Sequence, residues 1–462
     1  MNLTIRRVTA ALSTMGIFAL SGAAMATNGY FTHGVGTESK GMAGTGVGSD
    51  AASGPIIIAS NPALGVFADD SWEVGLSAFS PMRDYEATSS VAQGQGGAFT
   101  IGEGSFESGS EWFPIPYAAK NWRMGNGNAL SFLFYGRGGM NTDWDNSDAF
   151  AITDPDGPPG PAPVMSLPGT FGGGDAGVDL SQAFLAVNYS GKVGDNFAWG
   201  IGPVFALQMF EAKGVELFAG FTNTFAASGG TVLPENLTNN GHDTSTGFGG
   251  AAGIWWAMGD AVSAGLAYQS KMSMSEFDDY SDLFAEGGGF DIPASTKFGI
   301  SFKGNNNVRF NLDIEHTEFS DVASVGNPLA NIAACPTAGL GGTDLESCLG
   351  GRNGAGFGWD DMTTYKFGLE WTPSDSAIYR FGYSYGEQPI QEADVLFNIL
   401  APGVMEQHLT FGMSRRSANG GTWNFSFMYA PENTVKGRNM FDPTQEIELK
   451  MKQLEFEVSY LW

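Results

Sequence analysis

The fold is decided by the segment KFGISFKGNNNVRFNLDIEH, residues 297–316. In it, two runs of apolar residues alternate with small, polar or charged ones, and the turn-forming residues 304–307 separate the runs. The alternating apolar positions are Phe298, Ile300, Phe302, Val308, Phe310, Leu312 and Ile314. A period of two places these side chains on one face of each strand and the charged side chains on the other. The segment therefore predicts a β-hairpin with one apolar and one polar face.

The same alternation recurs from Trp72 to the end of the chain and predicts about fourteen strands. Their approximate positions are 72–87, 111–124, 128–142, 177–191, 195–212, 243–258, 260–276, 291–304, 307–320, 361–372, 376–388, 404–416, 421–431 and 446–462. Short connections alternate with long ones such as 143–176, 213–242 and 432–445. Short turns on one side and long loops on the other are typical of outer-membrane barrels, although soluble sandwiches also alternate. We therefore predict an all-β fold, a transmembrane antiparallel β-barrel with both chain ends on the short-turn side.

Residues 1–26 have the pattern of a secretory signal peptide. Arg6 and Arg7 precede the apolar run Val8–Leu20, and Ala24-Met25-Ala26 is a small-x-small cleavage site. Beyond it, no apolar run reaches the roughly 18 to 20 residues of a membrane-spanning helix. The net charge of -27 argues against nucleic acid as a partner, because phosphates need a basic surface. We therefore expect an exported protein that does not bind nucleic acid.

Residues 27–70 differ from the rest of the chain. They are rich in Gly and small residues, lack the period-two alternation and contain Asn61-Pro62-Ala63, which stops a helix or strand. A compact plug explains the apolar run at 55–59 better than a flexible arm does. The predicted organisation is therefore a signal peptide (1–26), an N-terminal hatch or plug inside the barrel (27–70), and a barrel with long extracellular loops (71–462).

The two cysteines, Cys335 and Cys348, lie close together in a Gly-rich segment. In an exported protein this spacing favours a local disulfide that staples the loop. A metal site would need further ligands, and the histidines are scattered without ligand spacing. The histidines are His33, His242, His316 and His408. We therefore expect a disulfide, no metal and no cofactor.

The final strand carries two features. Its end, residues 454–462, alternates apolar with polar side chains and stops on Trp462, an aromatic terminus of the kind that outer-membrane assembly machinery recognises. The upstream apolar residues of 447–451 have the opposite parity. A one-residue slip exchanges the faces of a strand, so this change predicts a β-bulge near Lys452-Gln453.

Taken in order, these features resemble the FadL/TodX (OMPP1) family of outer-membrane transport proteins. The resemblance rests on the Asn61-Pro62-Ala63 in the hatch, the Gly136-Arg137-Gly138-Gly139-Met140 run in the third strand, about fourteen strands and the aromatic C-terminus. It implies location in the bacterial outer membrane and passive uptake of hydrophobic compounds, long-chain fatty acids first among them. The implied route is capture on extracellular loops, rearrangement of the hatch and lateral exit into the membrane beside a kinked third strand.

Four groups of residues are candidates for this route. Asn61, Pro62 and Ala63 would gate the hatch. Gly136, Gly138 and Gly139 weaken a strand and would form the lateral opening, although they could equally accommodate barrel curvature. The capture candidates, spaced as one helical face that could also pack on a neighbouring loop, are Leu217, Phe218, Phe221 and Phe225. The lumen-facing cations that would meet a carboxylate, or else pair with a lumen carboxylate such as Asp313 or Glu370, are Arg309, Lys366, Arg380 and Lys297.

Catalysis finds no support in the sequence. His316 and His408 have serines near them without a nucleophile elbow or an orienting group, so we predict a protein that is not an enzyme. An uptake channel for aromatic or aliphatic hydrocarbons, a general porin and a structural protein remain alternatives. The expected partners are a hydrophobic small molecule, outer-membrane lipid and lipopolysaccharide, and the assembly machinery, with the protein a monomer.

Overall fold

The computed structural model describes residues 27–51, 53–93, 98–145, 147–152, 164–418 and 420–462. The predicted signal peptide, residues 1–26, lies outside this part of the chain.

Within these ranges, fourteen antiparallel strands form a closed barrel. They are β1 (Trp72–Ala87), β2 (Phe113–Arg123), β3 (Ala129–Asn141), β4 (Gly177–Val193), β5 (Phe197–Lys213), β6 (Asp243–Ala257), β7 (Val262–Gln269), β8 (Ser295–Lys303), β9 (Val308–Thr317), β10 (Met362–Ser374), β11 (Ala377–Gly386), β12 (Gln407–Arg416), β13 (Thr422–Asn439) and β14 (Asp442–Leu461). Each strand pairs with its neighbours along the chain, and β14 pairs with β1 from Leu461↔Glu73 to Ile447↔Ala87. The predicted all-β barrel of about 14 strands is confirmed.

The β8–β9 hairpin shows why the alternating residues form strands. Phe298, Phe302 and Phe310 are each 37% exposed on the outer face, where a membrane protein meets lipid. Ser301 and Asn311 are buried on the inner face. The strands are joined through Asn306 and Asn307, which have φ of 59° and 58°. Asn tolerates this left-handed conformation better than most residues, so the sequence specifies a tight turn here.

The start of β1, the end of β14 and the short turns lie at one end of the barrel, which we call the short-turn end. The Trp72 amide donates to the Trp462 carbonyl at 2.9 Å, and the Trp462 amide donates back at 3.0 Å. The opposite end, the long-loop end, carries the remaining connections. One predicted long loop, 432–445, is absent: β13 and β14 instead extend through it and meet in a tight turn at Met440 and Phe441.

The register shift predicted near Lys452-Gln453 occurs there, but the bulge lies in the partner strand and not in the last strand. β14 pairs with β1 without a register shift, and from Gln445 to Leu461 its side chains alternate between buried and more exposed. The extra residue lies in β13, between Ala430 and Asn433. Along β14 the apolar residues move from the inner face to the outer face because the barrel interior changes from apolar to polar. Ile447, Leu449 and Met451 face an apolar interior, whereas Glu455 and Glu457 face a polar one.

The described part of the N-terminal region, residues 27–51 and 53–70, lies inside the barrel as a plug of short helices. These helices are Thr37–Lys40, Pro55–Ala59 and Pro62–Val66. Glycines of the plug and wall meet directly: a Cβ on Gly41 would lie 2.8 Å from the Cα of Gly412 in β12, and a Cβ on Gly48 would lie 2.5 Å from the carbonyl oxygen of Gly299 in β8. Small residues are therefore required for the close packing of backbone on backbone.

The connections at the long-loop end fold into an apolar cap. Its shorter strands are Thr100–Ile101, Gly104–Glu107, Asp148–Ile152, Val164–Pro168 and Ser273–Met274. Its helices are Glu216–Phe221, Asn223–Ala227, Asp278–Tyr280, Ala285–Gly288, Phe319–Asp321, Ala323–Gly326, Leu329–Ala334, Pro336–Ala338, Leu345–Ser347, Glu392–Asp394 and Val395–Asn398. None of the helices in the described ranges has the length and hydrophobicity needed to cross a bilayer.

Candidate transport path

The wall of the barrel is interrupted between β2 and β3. Their ladder joins Tyr117–Arg123 to Ala129–Tyr135 and ends there. Toward the long-loop end, β2 continues to Phe113 but pairs only with β1 among the described strands. Pro114 and Pro116 lie in this stretch and have no N–H to donate across the gap. The missing ladder therefore has a cause in the sequence of β2 as well as in the glycines of β3.

β3 bends at the same level. Its pairing with β4 shifts register between Gly136 and Gly138, which makes Arg137 the extra residue of a β-bulge. A Cβ on Gly138 would lie 1.8 Å from Oε1 of Gln182, so a side chain does not fit without rearrangement. The residues predicted for a lateral opening, Gly136, Gly138 and Gly139, therefore lie along the edge that faces the gap.

The N-terminal end of the hatch fills this edge. The Thr32 amide donates to the Arg137 carbonyl at 2.8 Å, and the Gly139 amide donates to the Tyr30 carbonyl at 3.0 Å. Between them Phe31 forms an antiparallel bridge with Gly138. Residues 30–32 thus act as a short strand in the place that β2 leaves open. We call them the gate segment.

Two buried polar side chains in and beside the gate segment lack hydrogen bonds. The Thr32 hydroxyl and the side-chain amide of Asn28, just before the segment, are buried without a hydrogen-bond partner in the described part of the chain. Each such group costs about 1–3 kcal/mol. The Phe31 ring of the gate segment makes two close contacts. Its centroid lies 4.8 Å from that of the Tyr30 ring and 4.4 Å from the guanidinium carbon of Arg137, which is a cation–π contact.

A cationic cluster lies behind the gate segment. Arg137, Lys297 and Lys366 contact the single carboxylate of Glu315 at 3.1, 3.2 and 2.7 Å. Three cations around one carboxylate leave an excess of positive charge. A pocket of about 20 Å³ adjoins the cluster and is lined by Arg137, Lys297 and Gln269, whose Nε2 has no partner among the described residues.

The other candidate cations are already paired. Arg309 contacts Asp50 of the hatch at 2.9 Å, and Arg380 donates to Glu370 at 2.8 Å. Of the cations proposed from the sequence, Lys366 and Lys297 belong to the cationic cluster, whereas Arg309 and Arg380 lie in separate ion pairs. Asp313, the other carboxylate considered, instead accepts the amides of Gly46 and Val47.

The Asn61-Pro62-Ala63 tripeptide is packed tightly against the wall. The Asn61 amide nitrogen donates to the Val47 carbonyl at 2.9 Å and to the Ile254 carbonyl at 3.1 Å, and its side-chain oxygen accepts the Ala63 amide at 3.0 Å. The glycines of the wall that make room for it are Gly200, Gly253 and Gly265. The tripeptide therefore fixes the hatch to β5, β6 and β7, away from the gap.

A second anchor of the hatch is ionic. Lys40 contacts Glu455 at 2.5 Å and Glu457 at 2.6 Å in β14. Burial alone would lower the pKa of the Lys40 ammonium, but these two carboxylates raise it above its usual value. The adjacent His33 ring stacks on His408 at 5.7 Å, and burial, with Lys40 and Lys366 nearby, lowers the pKa of His33 well below its usual value.

The capture candidates are divided between the surface and the interior of the cap. Leu217 is 37% exposed, and Phe221 and Phe225 are half-buried, whereas Phe218 is 4% exposed. The Phe218 ring packs on Phe397 at 5.0 Å. Packing between loops, the alternative stated above, therefore holds for Phe218, and an exposed apolar surface remains at Leu217.

Beneath Phe218 lies an apolar pocket of about 30 Å³. Its lining is Val178, Phe210, Val215, Phe218, Leu283, Phe284, Ser324, Leu349, Ala355, Gly356, Phe357, Phe397 and Leu400. Aromatic rings lead from this pocket to the gate segment, because Phe284 packs on Phe290 at 5.0 Å and Phe290 packs on Tyr30 at 6.0 Å. A continuous apolar path therefore joins the cap to the gap in the wall.

The cap is stapled by Cys335 and Cys348, whose sulfurs are bonded at 2.04 Å. The residue after the disulfide joins this segment to the helix Glu216–Phe221, since the Leu349 amide donates to the Phe221 carbonyl at 2.9 Å. No cluster of three or more metal-ligand side chains occurs among the described residues.

Sequence reasoning missed the gate segment and Arg137 as parts of the path. Phe31 gave no signal because nothing in a Gly-rich stretch marks a residue that pairs with a distant strand. Arg137 did give one: it is a charged residue inside a glycine run on a strand that meets lipid. Pro114 and Pro116, two positions apart in β2, were a further signal of an unpaired edge.

Comparisons with known proteins agree with this architecture. Residues 165–414 match the sequence model of the family described as outer membrane protein transport protein (OMPP1/FadL/TodX). A search of curated protein sequences finds no match.

Solved structures give matches over nearly the whole chain. A Pseudomonas aeruginosa FadL homologue is 17% identical with a TM-score of 0.62, and the match covers 94% of this chain and 99% of the homologue. The P. putida toluene transporter TodX is 16% identical with a TM-score of 0.60, and the match covers 93% of this chain and 98% of TodX. The Ralstonia pickettii toluene transporter TbuX is 15% identical with a TM-score of 0.56, and the match covers 93% of this chain and 98% of TbuX. At these identities the likeness shows the fold.

Proposed function

The chain belongs to the OMPP1/FadL/TodX family of outer membrane transport proteins, and on that premise we propose that it takes up long-chain fatty acids passively and releases them sideways through the gap between β2 and β3. It is a channel of the bacterial outer membrane for hydrophobic compounds, and members of this family are transport channels, not enzymes. The observation that carries the finer proposal is the meeting of an apolar path, a cationic cluster and a gap in the wall at the gate segment.

The first step is capture at the long-loop end, which we place outside the cell. The exposed Leu217 and half-buried Phe221 offer apolar surface there, and the pocket beneath Phe218 continues it inward. The pocket is smaller than a hydrocarbon chain, so entry requires its phenylalanines to move apart. Transfer is favourable because each CH₂ removed from water contributes about 0.8 kcal/mol.

The second step is displacement of the gate segment. Only two backbone hydrogen bonds join it to β3, and its Thr32 hydroxyl is unsatisfied among the described residues, so it is the part of the hatch that we expect to move. Asn61-Pro62-Ala63 and Lys40 hold the rest of the hatch to the wall. In this proposal residues 27–70 form the hatch and residues 71–462 form the barrel. The first residues of the hatch move, and Asn61-Pro62-Ala63 is the pivot about which they do so.

Selection of fatty acids would come from the cationic cluster. A carboxylate that reaches the gate segment meets Arg137, and Lys297 lies beside the same small pocket. Glu315 neutralises part of this charge, which lets the site hold an anion without binding it irreversibly. A neutral hydrocarbon would gain nothing from the cluster.

A neutral hydrocarbon is the second candidate substrate. The cap pocket is lined by apolar side chains with Ser324 as the sole polar one, so capture does not itself need a carboxylate. TodX and TbuX carry the name toluene transporter. A general porin is less consistent, because the hatch fills the interior where a porin has an open constriction.

We propose further that the channel is a monomer, that its lipid-facing strands contact lipopolysaccharide, and that its last strand is read by the assembly machinery. The terminal Trp462 is 54% exposed and accessible to a partner.

Uptake of labelled compounds tests the substrate. Cells that lack their own channel would express the wild type, Lys297→Gln or Lys303→Gln, and receive a long-chain fatty acid or a long-chain alkane. Lys303 is a matched control, since its ammonium contacts Asp50 at 2.9 Å and lies outside the cationic cluster. We expect Lys297→Gln to lower fatty-acid uptake about tenfold, the loss of one hydrogen bond to a charged group, and to leave alkane uptake unchanged.

The other outcomes are also informative. Equal loss of both compounds in Lys297→Gln, with the barrel folded, contradicts carboxylate selection. Uptake of the alkane alone by the wild type supports the hydrocarbon channel. Uptake of neither compound rejects both substrate proposals.

A further inference from the structure

A buried arginine crosses the long-loop end of the gap between β2 and β3. Arg83 extends from the inner face of β1 and is 3% exposed. Its guanidinium donates to the Asn141 carbonyl at the end of β3 and to the Ser110 carbonyl just before β2. Its third side-chain donor, Nε, has no partner among the described residues.

Arg83 has no carboxylate within 4.0 Å in the described part of the chain, and Asp179 acts on it only at longer range, whereas Lys40 and Arg309 contact carboxylates directly. A buried charge without a contacting counter-ion is costly, so a fold that needed only a bridge between loops would not require a guanidinium here. What a planar guanidinium provides is two donors in fixed directions, which suits two carbonyls on opposite sides of a gap.

The surrounding backbone joins the two sides at the same place. The Gly109 amide donates to the Asp143 carbonyl at 2.8 Å, and the Asp143 amide donates to the Ser108 hydroxyl at 3.0 Å. The Ser108 amide donates to the carbonyl of Arg83 itself at 2.9 Å. The gap is therefore bounded at one end by the last β2–β3 pair, Tyr117 with Tyr135, and at the other by Arg83.

We propose that Arg83 is a positioning residue that closes the long-loop end of the lateral opening and so sets the widest substrate that leaves through it. This rests on the proposed lateral exit. Unpaired β2 spans four residues, Phe113 to Pro116, which corresponds to roughly 13 Å of strand. The Arg83 guanidinium lies over the Phe113 ring at 5.6 Å, so it also fixes the first side chain of that edge.

The test compares a narrow and a wide neutral substrate. Uptake of a labelled linear alkane and a labelled polycyclic hydrocarbon is measured for the wild type, Arg83→Met, Arg83→Lys and Arg438→Met. Arg438 is the matched control: its guanidinium also donates to a backbone carbonyl, that of Pro443 at 2.6 Å, but in the β13–β14 hairpin. Rates are divided by the amount of folded barrel, read as the heat-modifiable band on a gel.

We expect the ratio of wide to narrow uptake to rise about tenfold in Arg83→Met, the factor for one lost hydrogen bond of a charged group, and to stay unchanged in Arg438→Met. Arg83→Lys keeps the charge but has no planar fork, so its ratio also rises, and it decides the question where Arg83→Met does not fold. An unchanged ratio in the folded variant overturns the role of Arg83 while uptake itself stands. Failure of the wild type to take up either hydrocarbon overturns this inference, whereas the proposed fatty-acid uptake is decided separately by the fatty-acid assay.

Discussion

Replacing Asn61 by alanine tests whether the hatch is fixed at its Asn61-Pro62-Ala63 turn or moves there. The side chain makes three buried hydrogen bonds: two from its nitrogen, to Val47 within the hatch and to Ile254 in β6, and one to its oxygen from the Ala63 amide. Alanine removes all three and leaves the Pro62–Val66 helix without its cap.

The magnitude follows from these bonds. At about 1 kcal/mol for each net hydrogen bond, loss of the Ile254 bond weakens attachment of the hatch to the wall by about 1 kcal/mol, and loss of the two bonds within the hatch weakens its own fold by about 2 kcal/mol. The weaker attachment alone shifts an equilibrium between seated and displaced hatch by about fivefold. The barrel keeps its ladder, so the barrel itself should remain folded.

Ion conductance in planar bilayers is the direct assay, because a displaced hatch opens an aqueous path through the lumen. We expect Asn61→Ala to show frequent openings that the wild type rarely shows. Asn424→Ala is the matched control: Asn424 is also fully buried, but its side chain bonds to Ser414 and Ser459 of the wall. A folded Asn61→Ala channel that conducts like the wild type and Asn424→Ala would refute the assignment of the tripeptide as the pivot.

Four further predictions concern other parts of the path. Phe31→Ala removes the ring that seats the gate segment, a loss of about 3–5 kcal/mol for a buried phenylalanine, and should raise uptake per folded channel; lower uptake would contradict the gate. Phe218→Ala enlarges the cap pocket and should increase the uptake of wide hydrocarbons relative to narrow ones, which competition between the two measures. Lys40→Met leaves Glu455 and Glu457 without their cation and should destabilise the seated hatch by about 3–5 kcal/mol, read as protease sensitivity of residues 27–70 in the folded barrel. Cys335→Ser with Cys348→Ser opens a short loop, which should lower the stability of the cap by about 3 kcal/mol and expose it to proteolysis without changing the thermal midpoint of the barrel.

Much of the barrel could be predicted from the sequence because a membrane wall imposes one rule on every strand. Lipid requires apolar side chains at alternate positions, as in Phe298, Ile300 and Phe302, and the rule holds for all strands regardless of their partners. The same rule failed for β14, where Ile447, Leu449 and Met451 point inward. The alternation of apolar residues marks the lipid-facing side of a strand only where the barrel interior is polar. Under the cap the interior is apolar, so the alternation there does not distinguish the two faces of β14.

The site was harder to predict because it depends on which groups meet inside the barrel. The alternation along the strands correctly placed all four candidate cations on inner faces. It could not show that Lys297 and Lys366 share Glu315, whereas Arg309 and Arg380 have separate partners. The glycines of β3 pointed to a bend. The segment that covers it, residues 30–32, comes from more than a hundred positions earlier in the chain and has no periodic pattern of its own.

The position of the gap explains why a channel filled by a plug can still transport hydrophobic molecules. Tyr30 contacts the aromatic cap through Phe290, whereas His33, three residues later, lies among Lys40, Lys366 and Glu455. The apolar half of the interior therefore changes into the charged half within the gate segment. A hydrophobic molecule that moves from the cap toward the short-turn end would next have to enter a layer of buried charges, whose desolvation it cannot compensate. The gap beside Gly138 lies at this boundary, so in the proposed lateral route we expect the molecule to turn sideways into the lipid there, with the plug yielding only at its first residues.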